Sequence, residues 1–185
     1  PVDGVSRVQK LQMMTQDGDN VDVCAIRGNF DDAQSGVKRI FADSAMREEL
    51  DRRGYFLSSA NSINWGRLVP QIVYYYVGYS KLAVSGVIKP GEMIDIAVPT
   101  GNFGNIFAAY LACRMGLPVR RLICASNSNN ILTDFLSTGV YDRNRAFHTT
   151  MSPSMDILIS SNLERLIYLM TDAKTTASLM SRLSE

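Results

Sequence analysis

Apolar positions follow two rhythms that alternate through the second half of the chain. Met93-Ile94-Asp95-Ile96-Ala97-Val98 is a short, almost continuous apolar run, which predicts a buried strand. Ile106–Met115 is apolar on every side, is closed by Gly116 and is stopped by Pro118, which predicts a buried helix. Val119–Ser126 predicts the next strand. Strand, helix and strand in that order argue for a parallel sheet with covering helices. The fold class is therefore α/β, three-layer, with a mainly parallel sheet flanked by helices.

The first half carries weaker patterns. Arg7–Met14 reads as the end of a helix, and Val21–Ile26 as a short strand after the Asp17–Asn20 turn. Ala33, Val37, Ile40 and Phe41 fall on one face of a helix, with Asn29 as N-cap and Asp31 and Asp32 at its positive end. Ser44–Arg53 predicts a second helix ended by Gly54, and Tyr55–Ser59 a further strand. Asn61–Arg67 opens a long helix that continues through Tyr74-Tyr75-Tyr76 and Tyr79, core or subunit-contact residues pointing in different directions. Downstream, Asn127–Asn130 form a turn and N-cap for Ile131–Ser137, closed by Gly139, with direct ligand contact a second reading. Ser161 with Glu164 fits a capping box for Leu163–Met170.

Composition narrows the class. The 185 residues suffice for a core, and a net charge of +1 gives no reason to expect nucleic acid or an anionic membrane. The three cysteines, Cys24, Cys113 and Cys124, lie in apolar runs without a Cys-x-x-Cys pair, so buried free thiols are expected and a metal site is not. Pro1–Lys10 does not resemble a signal peptide, and Leu68–Val84 is too interrupted to span a bilayer, so a cytoplasmic location is expected. The single histidine, His148, lies in the loop-like stretch Thr138–Ser154 and is read as a surface residue.

The chemistry concentrates in Val98-Pro99-Thr100-Gly101-Asn102-Phe103-Gly104-Asn105, between the first strand and its helix. Glycines let backbone N–H groups close on an anion, and a helix N-terminus adds a favourable dipole. Asn102 and Asn105 can add amide donors without charge. A plain strand-to-helix turn would need no more than the spacing.

The residues themselves go further. Thr100–Asn105 resembles the phosphate loop of the pyridoxal-phosphate (PLP) dependent threonine synthases. Ser58–Arg67, Asn127–Leu132, Ser152–Ile157 and Ser160–Arg165 resemble further segments of that family in the same order. The resemblance implies a partial tryptophan synthase β-like fold (fold type II), with residues 1–60 ending the small domain and 61–185 forming part of the large PLP-binding domain. It implies conversion of O-phospho-L-homoserine and water to L-threonine and phosphate through a PLP aldimine. Cofactor binding falls to Gly101, Asn102, Phe103, Gly104 and Asn105, and substrate binding to Asn64, Arg67 and Ser154. For Asn64 and Arg67, a helix cap and a surface ion pair are the equal alternative.

None of the five lysines has the family's Phe-Lys-Asp context, and no Ser-Gly-Asp-Thr-Gly loop is present. The chain is accordingly expected to be an internal segment, inactive and weakly PLP-binding alone, with an exposed apolar patch and a tendency to self-associate. A related PLP-dependent lyase, or a non-catalytic α/β module holding a phosphorylated ligand, are the alternative functions.

Overall fold

A computed structural model of the chain describes residues 7–28, 30–59 and 64–184. The chain divides into two compact units, Pro1–Ser58 and Ser59–Glu185. In the first, α1 (Arg7–Met14), α2 (Phe30–Ala42) and α3 (Ser44–Arg52) are the expected helices. Asp43 caps α3 by accepting the Met46 N–H at 3.0 Å, and Gly54 follows in the left-handed region at φ 78°. The charged face of α3 is solvated surface, with Glu49 pairing with both Arg52 and Arg53. The expected N-cap Asn29 lies outside the described residues.

Two expected strands are not strands. Val21–Ile26 and Tyr55–Ser59 are irregular, and neither pairs with another segment among the described residues. A strand needs a neighbour's N–H and C=O groups as well as an apolar pattern, and these segments have none. No described side chain of the first unit is buried.

The second unit contains the core. Helix α4 (Trp65–Val84) buries Leu68 and Ile72, with Tyr75, Tyr76 and Tyr79 packed beside them. The tyrosines do point to separate partners. The Tyr76 hydroxyl donates to Met115 O at 3.1 Å, and that of Tyr79 to Glu92 O at 3.0 Å.

Next come β1 (Ile94–Pro99), α5 (Gly104–Arg114) and β2 (Val119–Ala125), a β-α-β unit whose two strands pair in parallel from Ile94↔Val119 to Pro99↔Ala125. The register shifts once, between Ile94 and Asp95. Helix α5 is the centre of the unit: Ile106, Phe107, Ala108, Ala109 and Ala112 are all buried. Its small residues let neighbouring elements approach closely, which is why a helix apolar all round is stable here. Helices α6 (Ile131–Thr138), α7 (Leu163–Met170) and α8 (Ala173–Ser184) complete the chain. Gly139 ends α6 in the left-handed region, as expected. No helix among the described residues is long and apolar enough to cross a membrane.

Candidate functional site

Both strands of a parallel pair end at the same edge, so the turn after β1 and the turn after β2 lie side by side. The first turn begins with Thr100, buried and fixed twice. Its N–H donates to Ala125 O at 2.8 Å, extending the ladder, and its hydroxyl to Val98 O at 2.7 Å.

Gly101 follows in a tightly packed space. A Cβ there would stand 3.1 Å from Ile157 Cδ1, 3.3 Å from Met155 Cα and 3.4 Å from Ser154 O. Ser154 is thus brought against the loop through its backbone.

Phe103 is the residue that turns strand into helix. It adopts φ 65°, ψ 0°, and among the described residues no other non-glycine residue has positive φ. That conformation costs about 1–2 kcal/mol. The phenyl ring is buried, and burial of such a side chain contributes about 1.5–3 kcal/mol, enough to hold the strained backbone in place. A left-handed residue followed at once by the right-handed Gly104 curves successive N–H groups towards one concave side.

The backbone N–H groups of residues 101–106 find no acceptor among the described residues. Three of them belong to the first turn of α5, where the helix dipole favours an anion. The loop's carbonyls, by contrast, are engaged. The Ser160 hydroxyl donates to Gly101 O at 2.6 Å. Asn162 donates to Asn102 O twice, from its backbone N–H at 3.1 Å and its Nδ2 at 3.0 Å. Ser160 is itself held, its N–H donating to the Tyr141 hydroxyl at 2.9 Å.

Asn102 and Asn105 are exposed. The Tyr75 hydroxyl, from α4, donates to Asn105 Oδ1 at 2.6 Å, which leaves the amide's N–H₂ as its open donor. Burial pushes the Tyr75 phenol up to about 12, so it stays a donor throughout the neutral range.

Asn64 caps α4: Oδ1 accepts the Gly66 N–H at 2.9 Å, while Nδ2 donates to Ser59 O at 2.6 Å. Both ends of its amide are thereby used. Arg67 is exposed in the first turn of α4. Asn61 lies outside the described residues.

The turn after β2 is organised by a carboxylate. Asp156 accepts from Asn127 Nδ2 at 2.7 Å, Thr150 Oγ1 at 2.7 Å, Asn129 Nδ2 at 3.2 Å and the Thr150 N–H at 2.8 Å. Desolvation alone would raise its pKa; four donors together outweigh it and hold the carboxyl below its ordinary value. Asn129 also pairs with both backbone groups of His148, in the manner of a neighbouring strand. These asparagines therefore tie loops together, and the His148 side chain is exposed, as expected.

Three expectations are corrected by this geometry. Ser161 and Glu164 form no capping box: Asn162 is the N-cap of α7, and no side chain bonds there. Asn162 directs its backbone N–H and its Nδ2 at Asn102 O, while its Oδ1, the atom a side-chain cap would use, has no partner among the described residues. Asn130 likewise precedes α6 without a side-chain cap, its amide instead meeting Asp134 and Arg145. The cysteines are free but none is buried; Cys24 is exposed and the others half-buried. The contacts of Ser160, Asn162 and Tyr75 had no local signal at all, since they join residues 59, 60 and 30 positions apart.

A cavity of about 690 Å³ opens elsewhere, lined by Trp65, Phe107, Leu111, Tyr168 and Met180 among others. None of residues 101–105 lines it, although Ser160, which holds Gly101 O, does. Arg165 also lines it, with its guanidinium carbon over the Trp65 ring, 5.6 Å from the centroid.

No family model matches the chain. Known proteins do. It is 49% identical over 187 residues to threonine synthase-like 1 of Homo sapiens, covering 99% of this chain and 25% of that protein. It is 48% identical over 168 residues to threonine synthase of Pseudomonas aeruginosa, covering 91% of this chain and 34% of that one. Among solved structures, PLP-bound threonine synthase from Brucella melitensis superposes with a TM-score of 0.80 at 45% identity, over 98% of this chain and 37% of the other. The yeast threonine synthase superposes with a TM-score of 0.73 at 40% identity, over 91% of this chain and 31% of the other. The chain thus spans a quarter to about a third of the curated relatives it matches. Sequence and fold agree: over nearly its whole length this chain matches a segment of the threonine synthases.

Proposed function

We propose that residues 101–105 hold the phosphate of pyridoxal phosphate in a threonine synthase that converts O-phospho-L-homoserine and water to L-threonine and phosphate. The carrying observation is the run of N–H groups from 101 to 106 without acceptors among the described residues, at the start of a buried helix. The donor set suits the group. Gly101, Phe103 and Gly104 offer backbone N–H groups, and Asn102 and Asn105 add neutral amides, so a dianionic monoester keeps its charge. Bound there, the cofactor supplies an electron sink for carbanion chemistry at an amino acid. The chain's own part is to fix that ring's depth and direction by gripping its phosphate.

Ser59–Glu185 is on this reading part of the large cofactor domain, and Pro1–Ser58 the end of the small one. Arg67 offers a guanidinium fork to the substrate's phosphate, with the Asn64 cap setting the turn that carries it. Ser154, against Gly101, shapes the substrate side. Support for the family assignment comes from the PLP-bound Brucella relative.

The direct test is phosphate release from O-phospho-L-homoserine by the full-length protein loaded with PLP. Release with threonine as product is expected. A second reading is favoured by the human relative, whose name is threonine synthase-like: the same loop serving a different phosphorylated amino acid. PLP binding without turnover of O-phospho-L-homoserine would select it.

A further inference from the structure

We propose that Ser160 and Asn162 are positioning residues that aim the loop's N–H groups at the cofactor phosphate from behind. The inference rests on the loop's role as a phosphate cradle. Its basis is the geometry of the peptide group. In a planar trans peptide the C=O of one residue and the N–H of the next point in opposite directions. Fixing a carbonyl therefore fixes the heading of the following N–H.

Ser160 Oγ holds Gly101 O at 2.6 Å, so the Asn102 N–H points away from Ser160. Asn162 holds Asn102 O with two donors at 3.1 and 3.0 Å, so the Phe103 N–H points away from Asn162. Two consecutive peptide planes are thus set by side chains that never touch the ligand. Phe103 turns left-handed immediately afterwards, and Gly104 and Asn105 continue the same concave row.

Burial makes the clamp rigid. Ser160 is buried and Asn162 is 1% exposed. Asn162 Oδ1 has no donor among the described residues, a cost to stability. A leucine of similar size would avoid that cost, so the amide's value lies in its Nδ2 bond to the loop. Ser160-Ser161-Asn162 is then a second half of the phosphate site, contributed from the segment leading into α7.

The test compares two ligands on the full-length protein by titration calorimetry: pyridoxal phosphate, and pyridoxal, which shares the ring and aldehyde but lacks the phosphate. The ratio of their dissociation constants isolates the phosphate grip. Ser160→Ala is expected to cut the wild-type ratio about tenfold, since bonds to a charged group are worth about that factor each. Pyridoxal affinity is expected to stay at its wild-type value, and Ser160→Thr, which keeps the hydroxyl, to restore most of the ratio. Asn162→Ala reads the second bond independently if Ser160→Ala does not fold.

A wild-type ratio in the alanine variants overturns the clamp. So does equal weakening of both ligands, which would mark a general structural role. A wild-type protein with no preference for the phosphorylated ligand removes the cradle itself, and the clamp with it.

Discussion

The β1/β2 pair presents different chemistry at its two ends. At the amino end, Asp95 is gripped by Arg120 through two bonds of 3.0 and 2.7 Å and by Arg121 at 3.1 Å. At the carboxyl end, Thr100–Asn105 contains no charged residue, and the carboxylate beyond it, Asp156, is met only by amides, hydroxyls and a backbone N–H. Solvent-exposed guanidinium groups can neutralise a carboxylate cheaply where nothing else is required of the surface. Neutral donors suit the other end, because they hold an anion without discharging it and without competing ion pairs. On the proposed reading, one strand pair separates a structural end from a binding end.

The sharpest way to break this contrast is at Phe103. Phe103→Ala removes a buried ring and is expected to destabilise by about 3–5 kcal/mol in chemical denaturation. Phe103→Gly loses the same ring but relaxes φ 65°, and should be about 1 kcal/mol less damaging. Equal losses for the two would mean the backbone is not strained there. Next in size is Gly101→Val, whose branches must enter the space held by Met155 and Ser154 backbone. A loss of about 1–3 kcal/mol is expected from overpacking, with weaker binding of the phosphorylated ligand; an unchanged melting temperature would count against the close fit.

Tyr75→Phe is milder. It keeps the ring, releases Asn105 Oδ1 and should lower phosphate-specific affinity by a few-fold, with a stability change near 1 kcal/mol. The smallest effect belongs to the amino end. The Arg120 and Arg121 hydrogen bonds hold the Asp95 carboxyl well below the usual carboxylate range. A depressed folded-state pKa stabilises fully above the unfolded value, near 4, and that contribution is lost as pH falls below it. Asp95→Asn should therefore flatten the acid limb of a stability–pH curve and leave PLP binding untouched. A change in PLP affinity would show that the two ends are not independent.

What the sequence made legible follows from what is local. β1, α5 and β2 are written in short apolar runs with glycine and proline at their ends, and the structure has them within a residue or two. Gly139 closes α6 because a left-handed residue there favours glycine. Val21–Ile26 and Tyr55–Ser59 show the limit: apolar alternation permits a strand, but only a paired neighbour makes one. The same limit hid half of the candidate site. Thr100–Asn105 could be read from its glycines and amides, whereas Ser160 and Asn162 flank Ser161, which with Glu164 reads as a capping box until Asn102 is seen beside them. A capping pattern sees only local partners, and the partner here lies 60 positions away.

The distance along the chain between Gly101 and Ser160 has a practical meaning. A synthetic peptide covering residues 93–115 would carry every letter of the motif yet lack the backing that shapes it. On the proposed reading, capture of a monoester by this loop is a report on assembly: it requires segments far apart in synthesis to have met. Ligand affinity and cooperative folding of the unit should rise and fall together.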